Sequence, residues 1–187
     1  KVIRLFLINI KHYIKFSSRS FEPLIPATYL RKKILNILES SNIIETNFIK
    51  RKKYKGGSKS QSEKKNIKED FLKNIVNSDY TLCIRGTGNF SARLYETLAL
   101  GRIPVFINTD CTLPFSNIIK WDRHVLWVEK EDVINISTKL ISFHKKLTES
   151  QFIELQKSNR SLWEKYFSYS GFIKQSTDDI IKKINEA

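Results

Sequence analysis

Arg85, Gly86, Gly88, Arg93 and Glu96 stand close together in the segment Cys83–Ile107, CIRGTGNFSARLYETLALGRIPVFI. Arg85, Gly86, Thr87, Gly88 and Asn89 follow one apolar run, Tyr80–Ile84, and a second apolar run, Ile103–Ile107, lies downstream. Glycines let backbone N–H groups approach an anion closely, and the first turn of a following helix adds partial positive charge. Arg85 adds a full charge and a planar donor fork that fits phosphate oxygens. Ser91 stands at the start of the helical stretch that follows, with Arg93 and Glu96 three apart inside it. That spacing has two readings. One is a local surface ion pair worth about 0.2–0.5 kcal/mol. The other turns Arg93 toward phosphate and lets Glu96 accept hydrogen bonds from ribose hydroxyls, as carboxylates do in dinucleotide sites. Gly86-x-Gly88 alone is a weak pattern. Ser91 occupies the place of the third glycine of the dinucleotide fingerprint, and no Gly-Lys-Ser/Thr follows.

These residues depend on the elements on either side. Ile103–Ile107 is apolar throughout, which suits a parallel strand buried on both faces. Tyr80–Ile84 reads the same way. Between them, residues 91–100 have helical spacing and Gly101 supplies a stop. The unit is βαβ, and ligands in such sheets sit beyond the carboxyl ends of the strands. On the helix, Leu94, Tyr95, Leu98 and Ala99 form the expected inward stripe, with Arg93, Glu96, Thr97 and Leu100 on another face.

Elsewhere, Val2–Ile8 reads as a strand. A helix follows from Pro26, with Leu30, Ile34, Ile37 and Leu38 on one face, and then a strand at Ile44–Arg51. Residues 50–68 read as a basic loop, solvated or phosphate-binding. The next helix places Phe71, Leu72, Ile75 and Val76 inward, and a strand is expected within His124–Glu129. Helices fill 131–146, 149–167 and 171–186. Pro104 near a strand start is tolerated. Trp121, Trp127 and Trp163 read as core or interface residues ahead of sugar-stacking platforms. The fold class is α/β, a Rossmann-like parallel sheet flanked by helices.

The 187 residues fit a single domain spanning 1–187, and 41% apolar composition supports a packed core. The Val2–Ile10 run is too short to span a bilayer, carries Arg4 and has no cleavage site after it. Cys83 and Cys111 read as two buried thiols. His12, His124 and His144 match no zinc spacing, so no metal ligands are assigned. The net charge of +14 is uneven: residues 1–68 carry 17 Lys/Arg against 4 Asp/Glu, and residues 69–187 carry 16 against 15. Such a basic region attracts phosphates, whether of nucleic acid, anionic lipid or a small molecule. A chain that starts with lysine and lacks methionine reads as a piece of a longer protein.

Residues 78–115, SDYTLCIRGTGNFSARLYETLALGRIPVFINTDCTLPF, resemble the carboxy-terminal half of the exostosin-type (GT47) glycosyltransferases, enzymes of the two-domain GT-B architecture. The shared pattern is Cys83, Arg85 and Gly86; Ser91, Arg93, Leu94, Glu96 and Leu98; Gly101, Ile103, Pro104 and Val105; and Asp110, Leu113, Pro114 and Phe115. Residues 29–39 are similar to a second family segment, more weakly, and the helix with Trp163 and Phe167 suits the family's closing helices. Thr97 stands where the family commonly has alanine.

The resemblance implies a donor-binding domain whose acceptor-binding partner domain lies outside this chain. It also implies an inverting, metal-independent transfer from a nucleotide-diphosphate sugar to a glycan or other acceptor. No resident cofactor is expected, and no Asp-x-Asp occurs that would clamp a metal-bound diphosphate. Arg85, Gly86, Thr87, Gly88, Asn89, Ser91, Arg93 and Glu96 would bind the donor. Arg31 and Lys32 would help at the diphosphate. Asp110 would face the sugar or cap a loop. No catalytic base is assigned. A bacterial cytoplasm or membrane surface comes first among compartments, and the Golgi lumen if the source is eukaryotic. Two other readings stand beside this one. In the first, a basic polyanion- or nucleic-acid-binding domain uses residues 50–68; its run has Tyr54 as the only interleaved aromatic, and no specific nucleic acid is expected. In the second, a catalytically silent relative serves as a scaffold.

Overall fold

The computed structural model describes residues 27–51, 60–86 and 88–185, with isolated positions at 3, 6, 7, 9, 10, 13 and 57. Helix α1 is Ala27–Glu39 and α2 is Gln61–Val76. Strand β1 (Tyr80–Cys83), α3 (Ala92–Ala99) and β2 (Ile103–Asn108) form the expected βαβ unit. Strand β3 is Leu126–Glu129, and α4 (Ile136–Lys145), α5 (Glu149–Tyr166) and α6 (Tyr169–Asn185) close the chain. Short 3-10 turns at Trp121–Arg123 and Lys130–Asn135 flank β3. The three strands are parallel in the order β1-β2-β3, with Leu82 opposite Val105 and Phe106 opposite Trp127.

Strand β2 is apolar throughout because both its faces are covered. Val105 and Ile107 join Ile34 and Leu38 of α1 and Ile136 and Leu140 of α4 in one core cluster. Phe106 points the other way, among Leu94 and Leu98 of α3 and Leu162 and Tyr166 of α5. A period-2 strand that feeds two cores cannot alternate with polar residues. Helix α1 buries the predicted face, with Ile34 and Leu38 in the core and Leu30 and Ile37 packed against it. Pro26 lies outside the described residues. Gly101 ends α3 at φ 61°, a left-handed stop.

Four expectations are corrected. First, at the described positions of Val2–Ile8, Ile3, Phe6 and Leu7 are helical and exposed; together with Ile10 they have the i, i+3, i+4, i+7 spacing of a helix face. The other positions of that run lie outside the described residues.

Second, Ile44–Arg51 is irregular. Its alternation is real, since Ile44, Thr46 and Phe48 are half-buried. Its backbone joins no ladder among the described residues, and the Asn47 carbonyl instead accepts from Asn74 Nδ2 of α2 at 2.7 Å.

Third, the basic loop ends at Ser60, not Lys68. Ser60 and Glu63 make a reciprocal capping box that starts α2 two turns early. Residues 52–56 and 58–59 lie outside the described residues. Within α2 only Ile75 is fully buried. Leu72 and Val76 are exposed, because one narrow stripe of the helix reaches the core.

Fourth, Thr97 is fully buried on the inner side of α3. There its hydroxyl donates to the Arg93 carbonyl at 2.7 Å, so it needs no outside partner.

Trp121 is buried, and Trp127 and Trp163 pack against the same cluster. Cys83 is buried, Cys111 is partly buried, and both are free thiols. No helix among the described residues is long and apolar enough to cross a membrane.

Candidate donor-anion site

The site occupies the carboxyl edge of the sheet, where β1 runs out through Ile84 into Arg85. Arg85 is 7% exposed. Its backbone carbonyl accepts a long hydrogen bond, 3.4 Å, from Arg31 Nη2 of α1. The loop then closes on itself as the Gly86 N–H donates to the Phe90 carbonyl at 3.0 Å. Neither glycine here has a left-handed backbone, so room is what they provide. A β-carbon at Gly88 would lie 3.0 Å from the Phe90 ring, whereas one at Gly86 would meet nothing closer than 4.0 Å. The space beside Gly86 is therefore open. Thr87 lies outside the described residues.

Ser91 is the N-cap of α3 in extended conformation, yet its hydroxyl does not cap the helix. That Oγ is buried and has no hydrogen-bond partner among the described residues. An unfilled N-cap at the head of a helix favours an incoming anion. Asn89 has a different duty. Its Oδ1 accepts from Thr109 Oγ1 at 2.8 Å and its Nδ2 donates to the Asp110 carbonyl at 3.0 Å. Both ends of the side chain are used to tie the β1–α3 loop to the turn after β2.

Arg93 and Glu96 do form an ion pair, Nε to Oε2 at 3.6 Å, with both side chains substantially exposed. The Arg93 guanidinium also lies over the Phe71 ring, 4.2 Å from its centroid. Burial pulls the Arg93 pKa down, Glu96 and Cys83 oppose that, and the neighbouring Arg31 and Arg51 lower it further. Three cations crowd one spot, and each of Arg93 and Arg51 has one exposed carboxylate, Arg51 pairing with Asp70 at 3.6 Å. Such a surplus favours an anionic ligand.

Asp110 sits in the left-handed region at φ 59°, and its N–H donates to Asn108 Oδ1 at 3.1 Å. Its carboxylate is ion-paired with Lys130. Its carboxylate is thus engaged by a cation, and its main-chain carbonyl accepts from Asn89 Nδ2. Next to it, Glu129 accepts from Asn108 Nδ2 and from Trp127 Nε1, each at 2.7 Å. Lys32 lies on the exposed side of α1.

The fold thus brings Arg31 to the Arg85 carbonyl at the start of the glycine loop and sets Glu96 against Arg93 on the helix that follows. Asn89 and Asp110 hold the loops. Sequence reasoning missed Arg51, Lys130 and the role of Phe71. Only α2 itself left a readable signal, the Ser60–Glu63 capping box that starts it.

Comparison with known proteins gives a consistent result. Residues 21–143 match the family model of the exostosin GT47 domain. The chain is 28% identical to exostosin-1 of Bos taurus over 115 residues, 62% of this chain and 15% of that protein. It is 29% identical to exostosin-1b of Danio rerio over 115 residues, again 62% of this chain and 15% of the relative. A probable glucuronosyltransferase of Oryza sativa subsp. japonica is 36% identical over 72 residues, 38% of this chain and 17% of that protein. The chain thus spans about one sixth of the length of the curated relatives it matches.

Proposed function

The chain belongs to the exostosin GT47 family, and from that premise we propose that it is the donor-binding part of a glycosyltransferase using a nucleotide-diphosphate sugar. The observation that carries this reading is the gathering of Arg31, Arg85 and Arg93 around the open glycine loop and the uncapped start of α3, at the carboxyl edge of a parallel sheet.

In the proposed reaction an acceptor hydroxyl attacks the anomeric carbon of the donor sugar from the face opposite the diphosphate. The hydroxyl loses its proton to a base outside the residues assigned here. The bond from the anomeric carbon to the diphosphate oxygen breaks, its electron pair goes to the leaving group, and configuration inverts. Negative charge grows on the diphosphate as the bond breaks, and preorganised arginines stabilise that charge most in the transition state. Arg85, Arg93 and Arg31 would supply this positive charge without a metal ion. Glu96 would release Arg93 in part and accept from the ribose diol. The Ser91 hydroxyl and the first N–H groups of α3 would receive a phosphate oxygen.

The relatives named as exostosins and as a probable glucuronosyltransferase support a sugar donor and a glycan acceptor as the substrate classes. Their eukaryotic sources weigh toward the Golgi lumen over a bacterial cytoplasm.

The test is calorimetric titration with UDP, GDP and a sugar phosphate, for the wild type and Glu96→Ala. A saturable diphosphate complex, weakened about tenfold or more by the substitution, is the expected result; a hydrogen bond to a charged group is worth roughly 1.5–3 kcal/mol. A folded chain that binds neither diphosphate sinks the reading. Oligonucleotide binding that falls steeply with salt, with no diphosphate preference, would replace it with the polyanion alternative through Lys64, Lys65 and Lys68 on exposed turns of α2.

A further inference from the structure

Helix α2 stands outside the βαβ unit, and the donor reading uses none of its residues. Its position is nevertheless fixed at two points near its carboxyl end. Asn74 Nδ2 donates to the Asn47 carbonyl at 2.7 Å, and the Val76 carbonyl accepts from Arg102 Nη2 at 2.6 Å. Ile75, one turn after Phe71, is buried in the core. Phe71 is thereby presented at a set height, and the Arg93 guanidinium rests on its ring at 4.2 Å. The preceding residue, Asp70, pairs with Arg51 at 3.6 Å, and the Arg51 side chain is 28% exposed.

We propose that the Asp70–Phe71 step of α2 is the positioning element of the anion site, with Phe71 holding Arg93 and Asp70 holding Arg51, and that Arg51 is a further phosphate-binding residue.

An aromatic ring suits this task for a physical reason. Its quadrupole attracts a guanidinium but carries no net charge, so it holds the cation without cancelling it. A carboxylate in the same place would neutralise the group that the ligand needs. Phe71 competes with Glu96 for Arg93, and so keeps the guanidinium from being fixed by Glu96 alone. Arg51 and Arg93 are held by consecutive residues of α2, Asp70 and Phe71, which places their charges in one cluster. Asp70 is largely exposed, so its hold on Arg51 is weak and yields to a doubly charged oxyanion.

The inference rests on the anion-binding reading of the site, and inorganic pyrophosphate separates the two. The experiment titrates pyrophosphate, UDP and GDP into the wild type, Phe71→Leu, Phe71→Tyr and Arg51→Gln, with a thermal melt of each. Phe71→Leu is expected to weaken pyrophosphate and both nucleotides about threefold or more while the melting temperature changes little. Phe71→Tyr keeps the ring and restores binding. Arg51→Gln weakens pyrophosphate and flattens the salt dependence of its binding.

Unchanged pyrophosphate affinity in Phe71→Leu or Arg51→Gln overturns the proposal, as does failure of Phe71→Tyr to restore it. Pyrophosphate binding that follows these substitutions, with no added affinity for UDP or GDP, supports the positioning element and overturns the donor reading. A wild type that binds none of the three overturns both.

Discussion

Asn89 Nδ2 donates to the Asp110 carbonyl at 3.0 Å, joining the loop that leaves β1 to the turn that leaves β2. Thr109 Oγ1 donates to the same side chain at 2.8 Å. Two neighbouring strand ends are thus clasped by one amide, and the glycine loop between them is held in shape. Preorganisation of this kind lowers the entropy lost when a ligand is bound.

Asn89→Ala removes both bonds. Stability is expected to fall by about 1–2 kcal/mol in urea unfolding, since each net hydrogen bond contributes roughly 0.5–1.5 kcal/mol. Diphosphate affinity should fall as well, because the loop loses its tether. An Asn89→Ala chain that binds UDP or GDP as the wild type does would show that the clasp plays no part in binding.

Asn159 is fully buried on α5. Its Nδ2 donates to the Arg102 and His124 carbonyls at 3.1 and 3.0 Å, and its Oδ1 pairs with His124 Nδ1 at 3.0 Å. Replacement by leucine would leave these carbonyls without their donor. A loss of about 2–4 kcal/mol is expected, because each orphaned buried polar group costs roughly 1–3 kcal/mol. The shift of the urea midpoint at constant slope measures it, and a change under about 0.5 kcal/mol would contradict it.

The two thiols should differ in reactivity and in pH linkage. Burial pushes the Cys83 thiol up to about 12, with the Thr97 hydrogen bond and Arg93 acting weakly against it. Cys111 is raised too, but it is only partly buried. At pH 8 a thiol reagent should label Cys111 first, and Cys83 only as fast as the protein opens. The sign of the linkage follows from the folded chain holding the Cys83 proton to higher pH than the unfolded chain does. The corresponding stability is complete below the ordinary thiol pKa of 9.0 and is lost as pH rises from there toward about 12. Cys83→Ala should therefore flatten the alkaline limb of the stability curve. Equal labelling rates for the two cysteines in the folded protein would refute the difference.

Much of the βαβ unit was legible because its physics is local. The unbroken apolar run Ile103–Ile107 could only be a strand covered on both sides, and Phe106 and Ile107 do face opposite cores. The helix of residues 92–99 showed its stripe in the spacing of Leu94 and Leu98. Ile44–Arg51 was misread because half-burial alternates along it just as along a strand, while ladder pairing depends on a neighbour that the sequence does not show. Thr97 was misplaced for a related reason: a hydroxyl that bonds back to its own helix can be buried without any distant partner.

By itself the sequence determined the three strands of the sheet, the glycine turn and the set of charged residues at its end, because periodicity and turn chemistry act over a few residues. It did not determine which charges meet. That Asn89 reaches Asp110, that Arg51 and Arg93 converge on consecutive residues of α2, and that Lys130 takes the Asp110 carboxylate were decided by the tertiary structure. These pairs lie about 20 residues or more apart in the chain; the pairing of β1 with β2 brings the first within reach, and the placement of α2 and β3 beside the βαβ unit brings the others. A side chain's partner is set by where its backbone is held, and long-range packing sets that for every residue at this edge of the sheet.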